Sequence, residues 1–182
     1  MAHNIKPLVF WIKSWEGGFV NDPDDQGGAT NKGITIGAFR SVYGGNKTIE
    51  DLKRLTDNQW EHIFKAKYWN RWDADKIEDP SVAFFLVDWV WGSGVWGIKR
   101  PQKLLGVEVD GIVGPKTIAA VNAFNGKELF EALKEDKRAY LQRICCITPT
   151  NRKFLNGWLR RLDSMEYGCL RTNTRPVKVL RF

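Results

Sequence analysis

The sequence predicts a mainly α-helical protein with one small irregular or β lobe near its N-terminus. Three observations carry that expectation. Apolar residues recur at helical spacing through the second half of the chain, punctuated by Gly and Pro. Two helix-start signals, at Thr48 and Thr56, stand in the first half. Between them and the first apolar run lies a stretch, Phe19 to Gly33, rich in Gly, Asp and Asn. The 182 residues suit one domain or two small lobes, and 43% hydrophobic with 13% aromatic residues is enough for a real core.

Lys6 to Trp15 has apolar residues at 8–12 and 15, which predicts a short buried helix stopped by Gly17-Gly18. Phe19 to Gly33 reads as an irregular lobe with one short hairpin. Thr35 to Tyr43 reads as a helix stopped by Gly44-Gly45. Thr48-Ile49-Glu50-Asp51 is a capping box with Asp in place of Glu, and Thr56-Asp57-Asn58-Gln59 fits one outright, opening a helix to about Trp69. Pro80 starts a helix, Ser81 to Trp91, that is apolar all round except for Asp88, the mark of a central core helix. Val95 to Leu105 reads as helical with Pro101 disturbing its middle. Gly114-Pro115 opens a helix to about Phe124, with Pro at the first helical position. Lys127 to Ile147 and Asn151 to about Tyr167 complete the helices.

A net charge of +7 favours a polyanionic partner: nucleic acid, an acidic membrane or an anionic cell wall. No nucleic-acid recognition motif is present, so that class ranks last. No run is long enough to span a membrane, and no membrane insertion is expected. The apolar run Leu8 to Ile12 is too short for a signal-peptide core and no small-residue cleavage site follows it, so synthesis in the cytoplasm is expected. Cys145, Cys146 and Cys169 are odd in number and suit a reduced chain. His3 and His62 lie far apart, so neither a metal nor another cofactor is expected. Leu170 to Phe182 carries Arg171, Arg175, Lys178 and Arg181 and no acid; it reads as a flexible basic tail. A monomer is expected.

Glu16 is the residue that points to chemistry. It closes an apolar helix and precedes a glycine-rich turn with three aspartates, Asp22, Asp24 and Asp25. The helix dipole disfavours a negative charge at that end, and apolar neighbours desolvate it, the conditions a proton-donating acid needs. Asp25 is the candidate second carboxylate, because a helix end followed by a turn can bring the two across a cleft. Paired carboxylates are the working part of most glycoside hydrolases. The competing interpretation makes Glu16 a solvated helix-end residue and the aspartates turn formers. A calcium loop is weakly supported, since the closing Glu is missing. Thr30 and Thr35 are spaced to line the same cleft and, with Asp88 and Trp91, are the candidate substrate-binding residues. Asp88 inside an apolar helix is costly unless paired, which favours support of the site over direct chemistry. Tyr68, Trp69 and Trp72 either floor a sugar cleft or belong to the core.

The run Glu16-Gly17-Gly18-Phe19-Val20-Asn21-Asp22-Pro23, continued by Asp25-Gln26-Gly27-Gly28-Ala29-Thr30 and Gly33-Ile34-Thr35, closely resembles the signature of glycoside hydrolase family 108. These are bacterial and prophage N-acetylmuramidases. The second half resembles the predicted peptidoglycan-binding region that accompanies it, through Asp110-Gly111-x-x-Gly114-Pro115-x-Thr117, the long helix with Arg138, and Phe154-Leu155-x-Gly157-Trp158-x-x-Arg161. The resemblance covers roughly residues 5 to 165. It implies a lysozyme-like helical fold. It implies that residues 1–78 form a catalytic lobe and that 79–168 form a helical peptidoglycan-binding region packed on it; 169–182 remain as the basic tail. It makes Glu16 the acid that protonates the bond between N-acetylmuramic acid and N-acetylglucosamine, and peptidoglycan glycan strands the partner, met at the cell wall after release. Relatives often carry an Asn before the Ser-Gly near the core helix; here the run is Trp91-Gly92-Ser93-Gly94, which implies different sugar contacts or helix packing there. Two rivals stay open: a lytic transglycosylase, which works with one carboxylate, and a non-catalytic wall-binding module.

Overall fold

The computed structural model describes residues 3–21 and 28–182. Among these it is mainly helical, with two small antiparallel sheets. The first helix, α1 (Lys6–Trp15), begins with Pro7 in its first turn and buries Leu8, Val9, Trp11 and Ile12. The expected hairpin consists of β1 (Thr30–Asn31) and β2 (Ile34–Thr35), with Asn31 opposite Ile34. Its two-residue loop is Lys32-Gly33, with φ of 49° and 78°, the left-handed pair that matches the twist of a hairpin.

Helix α2 (Ile36–Tyr43) is capped by the Thr35 hydroxyl, which accepts from Ala38 N. Short α3 (Ile49–Lys53) and α4 (Asp57–Phe64) both start in full capping boxes, at Thr48 and Thr56, as their sequences predict. A wider turn, Lys65–Trp69, prolongs α4. Helix α5 (Pro80–Ser93) is buried from Ser81 to Val90 and forms the centre of the molecule. Its first turn is capped by Asp79, which accepts from Ser81 N and Val82 N.

Helix α6 (Trp96–Leu105) crosses close to α5 because of Gly97, where a Cβ would collide with the backbone of Trp89 and Val90. Pro101 lies inside α6 and has no N–H to give the Gly97 carbonyl. The Trp72 indole donates to that carbonyl instead, at 3.2 Å. Helices α7 (Pro115–Asn122), α8 (Gly126–Ile147) and α9 (Arg152–Asp163) follow. No helix among the described residues is long and apolar enough to cross a membrane. The three cysteines are free thiols.

Two sequence expectations are corrected at the C-terminus. The helix expected to reach about Tyr167 ends at Asp163, and β3 (Met165–Glu166) turns back through Gly168, at φ 78°, into β4 (Cys169–Arg171). The stretch read as a flexible basic tail pairs as well: β5 (Val179–Arg181) lies antiparallel to β4. Leu170 is 1% exposed, the Phe182 ring packs 4.5 Å from that of Phe84, and the Arg171 carbonyl accepts from the Trp11 indole at 3.0 Å. Arg171 and Arg181 are exposed beside the inward-facing Leu170, Leu180 and Phe182, so the strands can be charged on one side and anchored on the other.

Candidate active site

Where α1 ends, the backbone leaves the helix at Glu16 with φ −87° and ψ 144°, and the side chain enters a cleft of about 550 Å³. The floor of that cleft is the C-terminal part of α5. Asp88 and Trp91 are three residues apart, so the helix presents them on one face, toward Glu16. The far wall is made by α8 and α9, through Lys137, Tyr140, Trp158 and Arg161. The hairpin turn closes the site from above, anchored by the Trp60 indole, which donates to the Lys32 carbonyl at 2.9 Å. Gly33 lies directly against the carboxylate: a Cβ there would sit 2.5 Å from Trp91 Cζ2 and 2.7 Å from Glu16 Oε2.

One oxygen of Glu16 takes two donors. Trp91 Nε1 donates to Oε1 at 2.8 Å and Arg161 Nη1 donates to the same atom at 2.9 Å. Among the described residues Oε2 has no hydrogen-bond partner. The side chain keeps 18% of its exposure, so a substrate in the cleft can reach it. Arg161 continues the chain of charge. Its Nη2 donates to Asp88 Oδ1 at 2.8 Å, and Lys137 Nζ donates to Asp88 Oδ2 at 2.7 Å. The Arg161 guanidinium also lies 4.9 Å from the centre of the Trp11 ring.

These charges tune one another. Burial alone pushes the Asp88 carboxyl up, but Lys137 and Arg161 outweigh it and hold Asp88 below the usual carboxylate range. Burial pushes the Lys137 ammonium down, and the charge of Asp88 offsets only part of that. Burial also opposes the charge on Arg161, yet Asp88 and Glu16 together raise it. Tyr68 packs with its ring 4.6 Å from that of Trp91; burial first, and the charge of Glu16 second, push its phenol up.

The structure therefore brings Glu16, Asp88 and Trp91 into one cleft. Asp88 is turned inward, with one oxygen bonded to the buried Lys137 and the other to the partly buried Arg161. Thr30 and Thr35 face each other in the hairpin, outside the cleft lining: Thr35 caps α2, and the Thr30 hydroxyl contacts the Gly28 carbonyl at 3.4 Å. Asp25, with Asp22 and Asp24, lies outside the described residues. Trp69 and Trp72 are wholly buried core residues.

Sequence reasoning did not identify Lys137 or the roles of Gly33 and Arg161. A signal for Lys137 was present: it falls on the apolar stripe of α8, in step with Leu129, Phe130, Leu133 and Leu141. A lone lysine in such a stripe, in a chain with an acid buried in another helix, is the expected partner.

Comparison with known proteins gives the family. Residues 9–94 match the model of the family described as glycosyl hydrolase 108, and residues 96–163 match that of the predicted peptidoglycan domain. Glu16, Gly33, Asp88 and Trp91 fall in the first range, Lys137 and Arg161 in the second. The solved structure of Brucella abortus SagA is 32% identical, with a TM-score of 0.72, and the match covers 84% of this chain and 85% of that one. No curated protein matches the chain.

Proposed function

We propose, from the premise that this chain belongs to the glycosyl hydrolase 108 family and carries a C-terminal predicted peptidoglycan domain, that it is a lysozyme-like N-acetylmuramidase with Glu16 as its general acid. The substrate is the glycan strand of bacterial peptidoglycan, and the bond cut is the β-1,4 bond between N-acetylmuramic acid and N-acetylglucosamine. The observation that carries the reading is the state of Glu16: a helix-end carboxyl, open to a cleft, clamped through one oxygen and free of partners at the other among the described residues.

In this reading Oε2 carries the proton. It is given to the glycosidic oxygen as the bond to the sugar carbon breaks, and the sugar passes through an oxocarbenium-like state. Trp91 and Arg161 fix the carboxyl so that little reorganisation is needed at that moment. Asp25 is proposed as the second carboxylate, placing or replacing the attacking water. The net charge of +7 suits approach to an anionic wall.

The test is digestion of purified peptidoglycan, with reducing ends counted and released fragments weighed by mass spectrometry. Fragments ending in reducing N-acetylmuramic acid support the reading. Reducing N-acetylglucosamine ends place the cut at the other bond, and 1,6-anhydro ends identify a lytic transglycosylase; either result contradicts it, as does no release at all.

A further inference from the structure

We infer that the second module is a wall of the active site, and that Arg161, delivered by α9, is the positioning residue for Glu16. This rests on the reading of Glu16 as the proton donor. The charges alternate between the two family ranges. Glu16 and Asp88 come from the first, Arg161 and Lys137 from the second, linked in sequence at 2.9, 2.8 and 2.7 Å. A module that merely anchored the enzyme to the wall would have no need to send a partly buried arginine to the acid of its neighbour.

The side-chain type matters. Arg161 uses two nitrogens on two different carboxylates, Nη1 on Glu16 and Nη2 on Asp88. A rigid planar fork can span both; the single ammonium of a lysine satisfies one. Asp88 and Lys137 are almost fully enclosed, with side chains 3% and 8% exposed, and Asp88 holds the guanidinium by Nη2. The face of Trp11 lies beside it. Arg161 thus holds Glu16 by Oε1, and Oε2 is left without a hydrogen-bond partner among the described residues.

The charge count gives a second consequence. With Glu16 protonated the four groups sum to one positive charge; once the proton has gone to the leaving oxygen they sum to zero. The Oε2–H bond breaks, an O–H bond forms on the leaving group, and the carboxylate that appears is met at once by a cation already in place. That is fixed electrostatic stabilisation of the charge that develops during the reaction.

The experiment compares full-length wild type, Arg161→Ala and Arg161→Lys on soluble peptidoglycan fragments, with and without added guanidinium. Arg161→Ala is expected to lose about 100- to 1,000-fold in kcat, the range for deleting one preorganised donor, with KM little changed. Guanidinium ion should restore part of the loss, and Arg161→Lys should stay well below wild type. The NMR signal of the Trp91 indole N–H, which reports the place of Glu16 without turnover, should move in Arg161→Ala and return with guanidinium. Wild-type kcat in a folded variant, a loss confined to KM, or an unmoved indole signal overturns the inference. If Arg161→Ala fails to fold, Arg161→Lys decides by the same two readouts. Inactive wild type sinks the muramidase reading instead, and the indole signal still judges the positioning claim.

Discussion

Gly33→Ala is a severe test of how the site is assembled, because it adds one methyl and no charge. Gly33 has φ 78°, where an alanine costs about 1–2 kcal/mol. The added carbon would also lie 2.5 Å from Trp91 and 2.7 Å from Glu16 Oε2, so both side chains must give way. Overpacking of this kind costs about 1–3 kcal/mol, for a total of roughly 2–5 kcal/mol. In a chain of this size that lowers Tm by roughly 4–20 °C. The carboxylate is displaced by something near an ångström, and misplacement on that scale costs about 100-fold in rate. Gly28→Ala is the control: Gly28 has a similar φ of 68°, but among the described residues its added carbon would meet only Ile36 Cγ2, at an ordinary 3.5 Å. It should cost about 1–2 kcal/mol and leave the position of Glu16 unchanged. Thermal melts and clearing of a peptidoglycan suspension read both effects. A Gly33→Ala protein with wild-type Tm and wild-type clearing would refute the close packing of the hairpin on the acid.

Three further outcomes are expected. Lys137→Met leaves Asp88 with one cation in a buried setting and should destabilise by about 3–5 kcal/mol, read as a lower urea midpoint with an unchanged m-value. Asp88 is held below the usual carboxylate range in the fold, so its contribution is present above the unfolded value of 3.8 and is lost as pH falls through the folded one. Wild-type stability should therefore fall more steeply below about pH 4 than that of Asp88→Asn, compared by urea titrations at stepped pH. Removing residues 169–182 strips Leu170 and Phe182 from the core and should cost at least about 3 kcal/mol, where loss of a solvated tail would leave Tm unchanged.

Much of the fold was legible because it is specified locally. The capping boxes at Thr48 and Thr56, the start of α5 at Pro80 and the apolar stripe of α1 are short-range signals, and each element stands where its residues say. The C-terminal sheet was not legible. Its strands are two or three residues long, too short for alternation to register, and they exist through pairing and packing on α1 and α5. The site divides the same way. Glu16 stood out by its place at a helix end, and Asp88 by its cost in an apolar helix. The partner that joins them, Arg161, lies 145 residues from Glu16, and nothing local marks that meeting. Thr30 and Thr35 were placed in the cleft by spacing and by the resemblance, whereas helix capping and a turn claim their hydroxyls.

The most direct measurement is turbidity loss of a purified peptidoglycan suspension by wild type beside Glu16→Gln, with both proteins shown folded by their melts. Glutamine keeps the shape of Glu16 but cannot carry the acidic proton. If Glu16 is the proton donor, wild type clears the suspension and releases reducing N-acetylmuramic acid ends, while Glu16→Gln stays folded and leaves it turbid. Equal clearing by the two proteins would contradict that role.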